Sequence, residues 1–269
     1  NMNINFKFLL LGTSLSLIPN LLYAQCAETD CLKLGYTKLE KCDNGLKCPF
    51  GEYWACPKVE EKAVLGECTG YAKNCKIADI LNSDGTCTTD KISGKSPIGV
   101  VIAIKDNCGW AMTASPIESY IKWSTKLVET GIGTTTNLNT AIKNFDACIN
   151  TQKITKLGDS SQYPAAWAAV NYAPNLSPTT KGKWCLPAPG ILNSLYKNMK
   201  AISNTISKLG GTQMSNFDKR YYERIWSSSE YDADSAWGLD NITSSKISAS
   251  RKDFAGGDIA VVVRPVITF

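Results

Sequence analysis

The sequence of 269 residues contains no histidine. Because histidine is the commonest general base and metal ligand near neutral pH, a Ser-His-Asp triad, a Cys-His pair and a His-ligated zinc site are all excluded. The excess of positive over negative residues is also small, since 29 Lys and Arg against 24 Asp and Glu leave a net charge of +5. That balance excludes a nucleic-acid-binding surface, although a local patch can still favour an anionic partner.

Apolar runs that approach the length of a membrane span occur only at the start of the chain. A single charge, Lys7, precedes an apolar stretch that Pro19 interrupts, and Ala24 offers a small residue at a cleavage position. This pattern predicts a signal peptide over residues 1–24, while retention as an anchor and lipidation of Cys26 are the alternatives. We expect a mature bacterial protein without a membrane span, secreted or held at the cell surface.

Cysteine, by contrast, is abundant, and its distribution is uneven. From residue 25 to 92 apolar content is low, turns are dense and no segment is long enough to build a core. We therefore predict a small module stabilised by disulfides, whose connectivity the sequence leaves open. A metal site is the alternative, but the spacing lacks paired Cys-x-x-Cys motifs. The module holds eight of the eleven cysteines: Cys26, Cys31, Cys42, Cys48, Cys56, Cys68, Cys75 and Cys87.

The remainder of the chain alternates between strand and helix patterns. Apolar, β-branched runs predict strands at Pro97–Ile104 and Ile259–Val263. Apolar residues at helical spacing predict helices at Asn137–Ile149, Tyr163–Tyr172 and Pro189–Leu209. A strand, a group of helices and then a run of strands is the order of an α+β fold.

The closing region combines an aromatic frame with a polar insert. Trp226 and Trp237 lie in segments of high strand propensity, and core packing is the favoured role for both. The polar insert between them and the last strands is typical of a recognition surface, and a plain sheet edge with solvated loops fits the residues equally well. The candidate ligand-binding residues are Tyr231, Asp232, Asp234, Asn241, Thr243, Ser245, Lys246, Arg251, Lys252 and Phe254.

Several motifs in this region carry a resemblance to a known group of proteins. They are Trp226-Ser-Ser-Ser-Glu-Tyr231, Ser235-Ala-Trp237 and Val263-Arg-Pro-Val266, with Lys95-Ser-Pro-Ile-Gly-Val-Val101 and the segment from Trp184 to Leu195 upstream. Together they resemble bacterial C-type-lectin-like domains of the Lcl C-terminal type and the variable proteins of diversity-generating retroelements. The resemblance spans Lys95–Phe269. It implies a domain over residues 95–269 with a mixed or antiparallel sheet, two main helices, and Pro97–Ile104 paired with Ile259–Thr268.

The resemblance also implies a function, namely an exported, adhesin-like protein that binds a protein or glycan ligand at a cell surface. Calcium-dependent lectins of this fold carry Glu-Pro-Asn or Gln-Pro-Asp with Trp-Asn-Asp, and none of these tripeptides is present. We therefore expect binding without calcium, metal or cofactor. A structural surface protein without a specific ligand is one alternative.

A carbohydrate-active enzyme is the other alternative, because paired carboxylates can hydrolyse glycosides without histidine. The candidates are Glu223, Glu230, Asp232 and Asp234, but no spacing ties them together, so we predict a protein that is not an enzyme. Formylglycine-generating enzymes share the lectin-like fold, but Cys148 and Cys185 lie in the wrong sequence setting for that chemistry. We predict instead that these two cysteines form a helix-to-strand disulfide. Cys108 then pairs with the N-terminal module or stays free.

Overall fold

The computed structural model describes residues 37–39, 53–55, 63–175, 177–212, 214, 223–240, 246–257 and 259–269. The chain divides into two units, Asn1–Glu61 and Lys62–Phe269. In the first unit, β1 (Thr37–Leu39) pairs antiparallel with β2 (Tyr53–Ala55). The predicted signal peptide and five of the cysteines of the predicted module lie outside the described residues.

The second unit contains strands, helices and two short 3-10 turns in an α+β arrangement. Its strands are β3 (Ile80–Asn82), β4 (Cys87–Thr88), β5 (Pro97–Lys105), β6 (Cys108–Met112), β7 (Glu118–Ser119), β8 (Trp184–Cys185), β9 (Glu223–Glu230), β10 (Ser235–Asp240), β11 (Lys246–Arg251), β12 (Ala260–Val263) and β13 (Val266–Thr268). Its helices are α1 (Leu138–Ala141), α2 (Ala147–Leu157), α3 (Pro164–Asn171), α4 (Pro189–Lys197) and α5 (Met199–Lys208).

One sheet of the described residues is antiparallel throughout, in the order β4-β3-β5-β6-β13-β8. Asp106 and Asn107 join β5 to β6 with φ angles of 51° and 62°, as a type I′ hairpin turn requires. This tight turn places β6 between β5 and the last strand, so that Thr268 lies opposite Trp110. The predicted direct pairing of Pro97–Ile104 with Ile259–Thr268 is therefore wrong. The first and last strands of residues 95–269, β5 and β13, nevertheless belong to the same sheet.

The other sheet has the order β11-β10-β9-β12-β7 and is mixed, because β12 runs parallel to β9 while the other neighbours are antiparallel. Trp226 on β9 and Trp237 on β10 are buried, as are Val261, Val262 and Val263 on β12. The prediction that these residues form the frame of the closing region is confirmed. An apolar core fills the space between α4, α5 and both sheets.

The helix predictions are confirmed in part. The helix α3 matches its predicted position, but Asn198 interrupts the long helix with φ −116° and ψ 15°, so α4 and α5 are separate. Their predicted apolar stripe is nevertheless buried from Ile191 to Ile206. The predicted helix at Asn137–Ile149 is broken between α1 and α2, and Ile149 is exposed because α2 turns another face to the core.

Three disulfides join the described cysteines: Cys68–Cys108, Cys75–Cys87 and Cys148–Cys185. The last links α2 to β8, so the predicted helix-to-strand disulfide is confirmed, and Cys108 does pair with a cysteine of the predicted module. The stretch from Ala63 to residue 92 packs in the same core as β5 and β13. The structure thus divides the chain at Glu61, well before the boundary near residue 92 that composition indicates.

The chain passes from one sheet to the other at Arg264 and Pro265, between β12 and β13. The guanidinium of Arg264 is buried, and its Nε donates to Glu223 Oε1 at 2.7 Å. Its other nitrogens donate to the carbonyls of Ala114 (3.0 Å) and Thr212 (2.9 Å). A buried, multiply bonded arginine holds this crossover in place, which gives the Val-Arg-Pro-Val motif a structural role.

Candidate recognition surface

An irregular segment of residues 120–135, hereafter the crossing segment, runs over one end of the mixed sheet. Two tryptophans hold it in reciprocal fashion. Trp226 Nε1 on β9 donates to the carbonyl of Ile121, and Trp123 Nε1 on the crossing segment donates to the carbonyl of Ser227, both at 2.8 Å. Trp237 Nε1 adds a third such bond to the Thr135 carbonyl at 2.8 Å. The segment is thus held by indole hydrogen bonds where a helix or strand would have backbone hydrogen bonds.

The carboxylate of Glu230 organises the middle of the crossing segment. It is fully buried and accepts from the backbone N–H groups of Thr130 (2.9 Å) and Gly131 (3.1 Å) and from the Thr134 hydroxyl (2.8 Å). Buried backbone N–H groups without partners cost free energy, and this loop lacks the regular backbone hydrogen bonds of a helix or sheet. The Glu230 side chain therefore stabilises the loop by accepting from these groups. The Trp-Ser-Ser-Ser-Glu motif is therefore part of the frame beneath the candidate surface.

Lys252 completes the arrangement, and here the sequence prediction is wrong. Lys252 was expected on the surface, but its side chain is 0% exposed. Its ammonium group donates to Glu230 Oε1 (2.5 Å), the Val128 carbonyl (2.8 Å) and the Ala233 carbonyl (2.7 Å), so all three donors have partners. At the end of β11 successive side chains point to opposite faces, and Lys252 is the one that points inward.

Arg251, the preceding residue, does lie on the surface. Its side chain is 59% exposed and makes two hydrogen bonds of 3.0 Å to the carboxylate of Asp253. These hydrogen bonds raise the pKa of Arg251, and with the charge of nearby Lys122 they lower the pKa of Asp253. Phe254 follows and is 40% exposed, as expected for a contact residue.

The predicted site residues lack three members of this surface, namely Lys122, Asp253 and the most informative of them, Tyr120. It is 61% exposed, and its backbone has a φ of 57°, which is an outlier for a bulky side chain. A Cβ added at Gly256 would lie 2.9 Å from Tyr120 Cδ1, so the tyrosine ring packs against the backbone of the turn that follows β11. The only available signal was its place in the apolar spacing of Pro116–Val128, which is not helical in the structure.

The remaining predicted site residues divide into three groups. Tyr231 is half-buried, with its ring 4.9 Å edge-on from Trp237, so it belongs mainly to the frame. Asp232 accepts from the backbone N–H groups of Asp234 and Ser235 in the β9–β10 turn, whereas the Asp234 side chain is exposed. Outside the described residues lie Asn241, Thr243, Ser245 and the side chain of Lys246, whose backbone begins β11.

The structure therefore brings five exposed side chains and the partly exposed Asp253 together around the end of β11. We call this set the display surface: Tyr120, Lys122, Asp234, Arg251, Asp253 and Phe254. It carries two aromatic rings and two charges of each sign. Such a mixture can hydrogen-bond and pack against a polar partner, but its charges balance and do not select an anionic one.

The carboxylates considered for hydrolysis have other partners. Glu223 is paired with Arg264, and Glu230 is paired with Lys252, both out of contact with solvent or nearly so. Asp232 is engaged in a turn, and only Asp234 has an exposed carboxylate. Among the described residues no group of three cysteine, aspartate or glutamate side chains is placed to hold a metal ion.

No helix in the described part of the chain is both long and apolar enough to cross a membrane. No protein-family model matches the sequence, and no curated protein matches it either. One similar solved structure is a fimbrial protein from Bacteroides ovatus, 14% identical, with a TM-score of 0.48. The similarity covers 72% of this chain and 48% of that protein, so the chain spans about half of its length. A TM-score of this size is too low to assign a fold or a function.

Proposed function

We propose that this is an exported, adhesin-like protein that uses the display surface to bind a protein or glycan ligand on a C-type-lectin-like scaffold. Export is supported by the three disulfides, which persist in oxidising compartments. The scaffold proposal is supported by the ordered motifs of residues 95–269 and by the shared sheet of its first and last strands.

The observation that carries the proposal is the contrast between adjacent residues 251 to 254. Lys252 is buried with every donor satisfied, while Arg251 and Phe254 on either side are exposed. Three indole hydrogen bonds and a buried ion pair hold the backbone beneath them. Side chains held on such a frame lose little conformational entropy when a partner binds, which favours recognition.

Tyr120 gives a second reason to place recognition here. A tyrosine in the left-handed region costs about 1–3 kcal/mol and persists only where surrounding contacts impose it. Here the strained backbone presents the most exposed large aromatic side chain of the described residues. Tyrosine offers a rigid apolar face and a hydroxyl, the chemistry that dominates many binding surfaces.

The test is a protein and glycan array probed with the labelled mature chain, followed by affinity measurements on the strongest hit. Phe254→Ala, Tyr120→Ala and the double variant Arg251→Ala/Asp253→Ala are each expected to weaken binding about tenfold. Tyr196→Ala is the matched control, because this exposed aromatic lies at the end of α4 and outside the display surface. Binding is expected to persist in EDTA.

Three results would contradict the proposal. One is a hit whose affinity is unchanged by all display-surface variants. Another is binding that EDTA abolishes and calcium restores, which would place the ligand on a metal. The third is turnover of an array glycan, which would make the protein an enzyme.

A further inference from the structure

A recess that is separate from the display surface runs along the residues that lead into and through β7. It consists of two open depressions of about 630 and about 500 Å3 that share Ile117 and Tyr172 in their walls. Both volumes are in the ~300–1,000 Å3 range of small-molecule sites. The depressions therefore form one trough, bounded by residues 113–118 and Ile121 on one side and by α3 and the residues after it on the other.

Two aromatic side chains of the trough are oriented by contacts with residues outside it. Trp167 Nε1 on α3 donates to the Gly158 carbonyl at 2.8 Å. The ring of Tyr172 lies edge-on to Trp184, with centroids 5.1 Å apart and planes at 77°. Both side chains are half-buried, so each is oriented by the core and retains exposed surface in the trough. Rings preset in this way can stack on a ligand without losing much rotamer entropy.

The polar groups of the trough are short and uncharged for the most part. Burial raises the pKa of the Tyr172 phenol, so its hydroxyl stays a donor at physiological pH. No hydrogen bond joins that hydroxyl to another described residue, nor the side-chain amides of Asn171 and Asn175. Amides and a phenol can each donate and accept, which matches a ligand whose hydroxyl groups do both.

The charge of the trough distinguishes between ligand classes. Its lining contains one acid, Glu118, which borders the smaller depression, and one base, Lys91, which borders the larger. Anionic ligands need clustered cations, and peptide recognition by strand addition needs a longer free edge than the two residues of β7. We infer that this trough is a binding site for a neutral oligosaccharide, with Trp167 and Tyr172 as stacking platforms and Asn171 and Asn175 as hydrogen-bonding groups.

This inference does not rest on the proposed function. Ile121 of the trough lies between Tyr120 and Lys122 in the sequence, but no lining residue of the trough belongs to the display surface. The probes are linear tetra- to hexasaccharides of neutral hexoses and of N-acetylhexosamine, titrated calorimetrically into the full mature chain. Trp167→Ala and Tyr172→Ala are expected to lower the affinity for the bound oligosaccharide about tenfold or more. Tyr172→Phe, which removes only the hydroxyl, and Asn171→Ala are expected to lower it by a smaller factor.

Tyr196→Ala is the matched control, since it removes an exposed ring outside both the trough and the display surface, and it is not expected to change the affinity. If Trp167→Ala does not fold, Tyr172→Phe and Asn171→Ala still decide the matter, because both retain the packed rings. The inference is overturned if no neutral oligosaccharide binds or if a heparin hexasaccharide binds more tightly than every neutral probe. It is also overturned if the affinity survives Tyr172→Phe and Asn171→Ala together, or falls in Phe254→Ala instead.

Discussion

The ammonium group of Lys252 lies 2.5 Å from Oε1 of Glu230, and neither side chain has any solvent exposure. Glu230 ends β9 and Lys252 lies in the turn directly after β11, and each also bonds to the crossing segment. The ion pair is therefore the point at which the sheet, the turn after β11 and an irregular loop are joined.

This pair leads to the first prediction. Lys252→Met leaves the Glu230 carboxylate buried without its counter-ion and is expected to lower the free energy of unfolding by about 3–5 kcal/mol. The neighbouring Arg251→Ala removes an exposed cation and is expected to stay within about 0.5 kcal/mol. Urea denaturation of the two variants checks the contrast, and equal stabilities would show that the pair does not hold the segment.

Adding Glu230→Leu to Lys252→Met extends that prediction. The double variant removes both buried charges, but the N–H groups of Thr130 and Gly131 and the carbonyls of Val128 and Ala233 then lose their partners. We expect it to remain destabilised rather than to recover, since unsatisfied buried backbone groups are costly. Recovery to the stability of the parent would mean that only the charges mattered.

Gly109 and Phe269 provide a second prediction. Their backbones exchange two hydrogen bonds of 2.9 Å, and the Phe269 ring lies over the glycine so closely that a Cβ would approach its Cζ to 2.2 Å. Gly109→Ala is therefore expected to cost about 1–3 kcal/mol through overpacking. Phe269→Leu should relieve part of that cost in the double variant, and a thermodynamic cycle of the four proteins measures this coupling. Strict additivity would contradict the contact.

Asp84 gives a prediction about pH. Burial alone would raise the pKa of Asp84, but hydrogen bonds from Thr86 and Lys95, together with the Lys95 charge, hold it at about 2 against 3.8 ordinarily. Because the folded pKa is the lower one, the carboxylate stabilises the fold above pH ~4, and this contribution is lost as the pH falls towards 2. The Tm difference between the parent and Asp84→Asn is expected to shrink over that interval. A Tm difference that grows on acidification would contradict the lowered pKa of Asp84.

The cysteine count yields a fourth prediction. Six of the eleven cysteines form three disulfides with one another, which leaves Cys26, Cys31, Cys42, Cys48 and Cys56. Five is odd, so at least one of them cannot pair within these 269 residues, and in a protein of this sequence it must be free, modified or bonded to another molecule. Alkylation with intact-mass measurement, without reductant, is expected to find an odd number of free thiols or a covalent dimer. More than five free thiols would contradict the three disulfides themselves.

Local pattern predicted much of the frame. Unbroken apolar runs marked β5 and β12, and the apolar stripe marked the buried faces of α4 and α5, because these signals depend on neighbours within a few residues. The break at Asn198 was missed because asparagine is tolerated within a helical stripe, and nothing nearby signals a stop. Turn chemistry at Asp106–Gly109 predicts a turn and a returning strand at Trp110–Thr113, and the pairing of β6 with β5 confirms it.

The candidate site was predicted less well, and Lys252 shows why. Between Asp240 and Gly257 composition alone cannot separate an exposed cation from a buried one, because both occur in the same polar stretch. Glu230 is 22 residues away and Val128 is 124 residues away, so the partners that make burial of this ammonium tolerable lie far off in the sequence. Tyr120 was missed for the same reason, since its neighbour Gly256 belongs to the other end of the domain.

By itself the sequence determined which chemistry is excluded, by its lack of histidine, and which segments form strands, helices and an aromatic frame. Those properties follow from residue type and short-range spacing. Only the tertiary structure decided that Arg251 faces solvent while Lys252 faces Glu230, and that Cys108 bonds to Cys68. It also decided that Tyr120 joins the display surface. Burial of a charge, pairing of a thiol and exposure of a ring depend on groups brought together by the folded chain, and no local pattern encodes those distances.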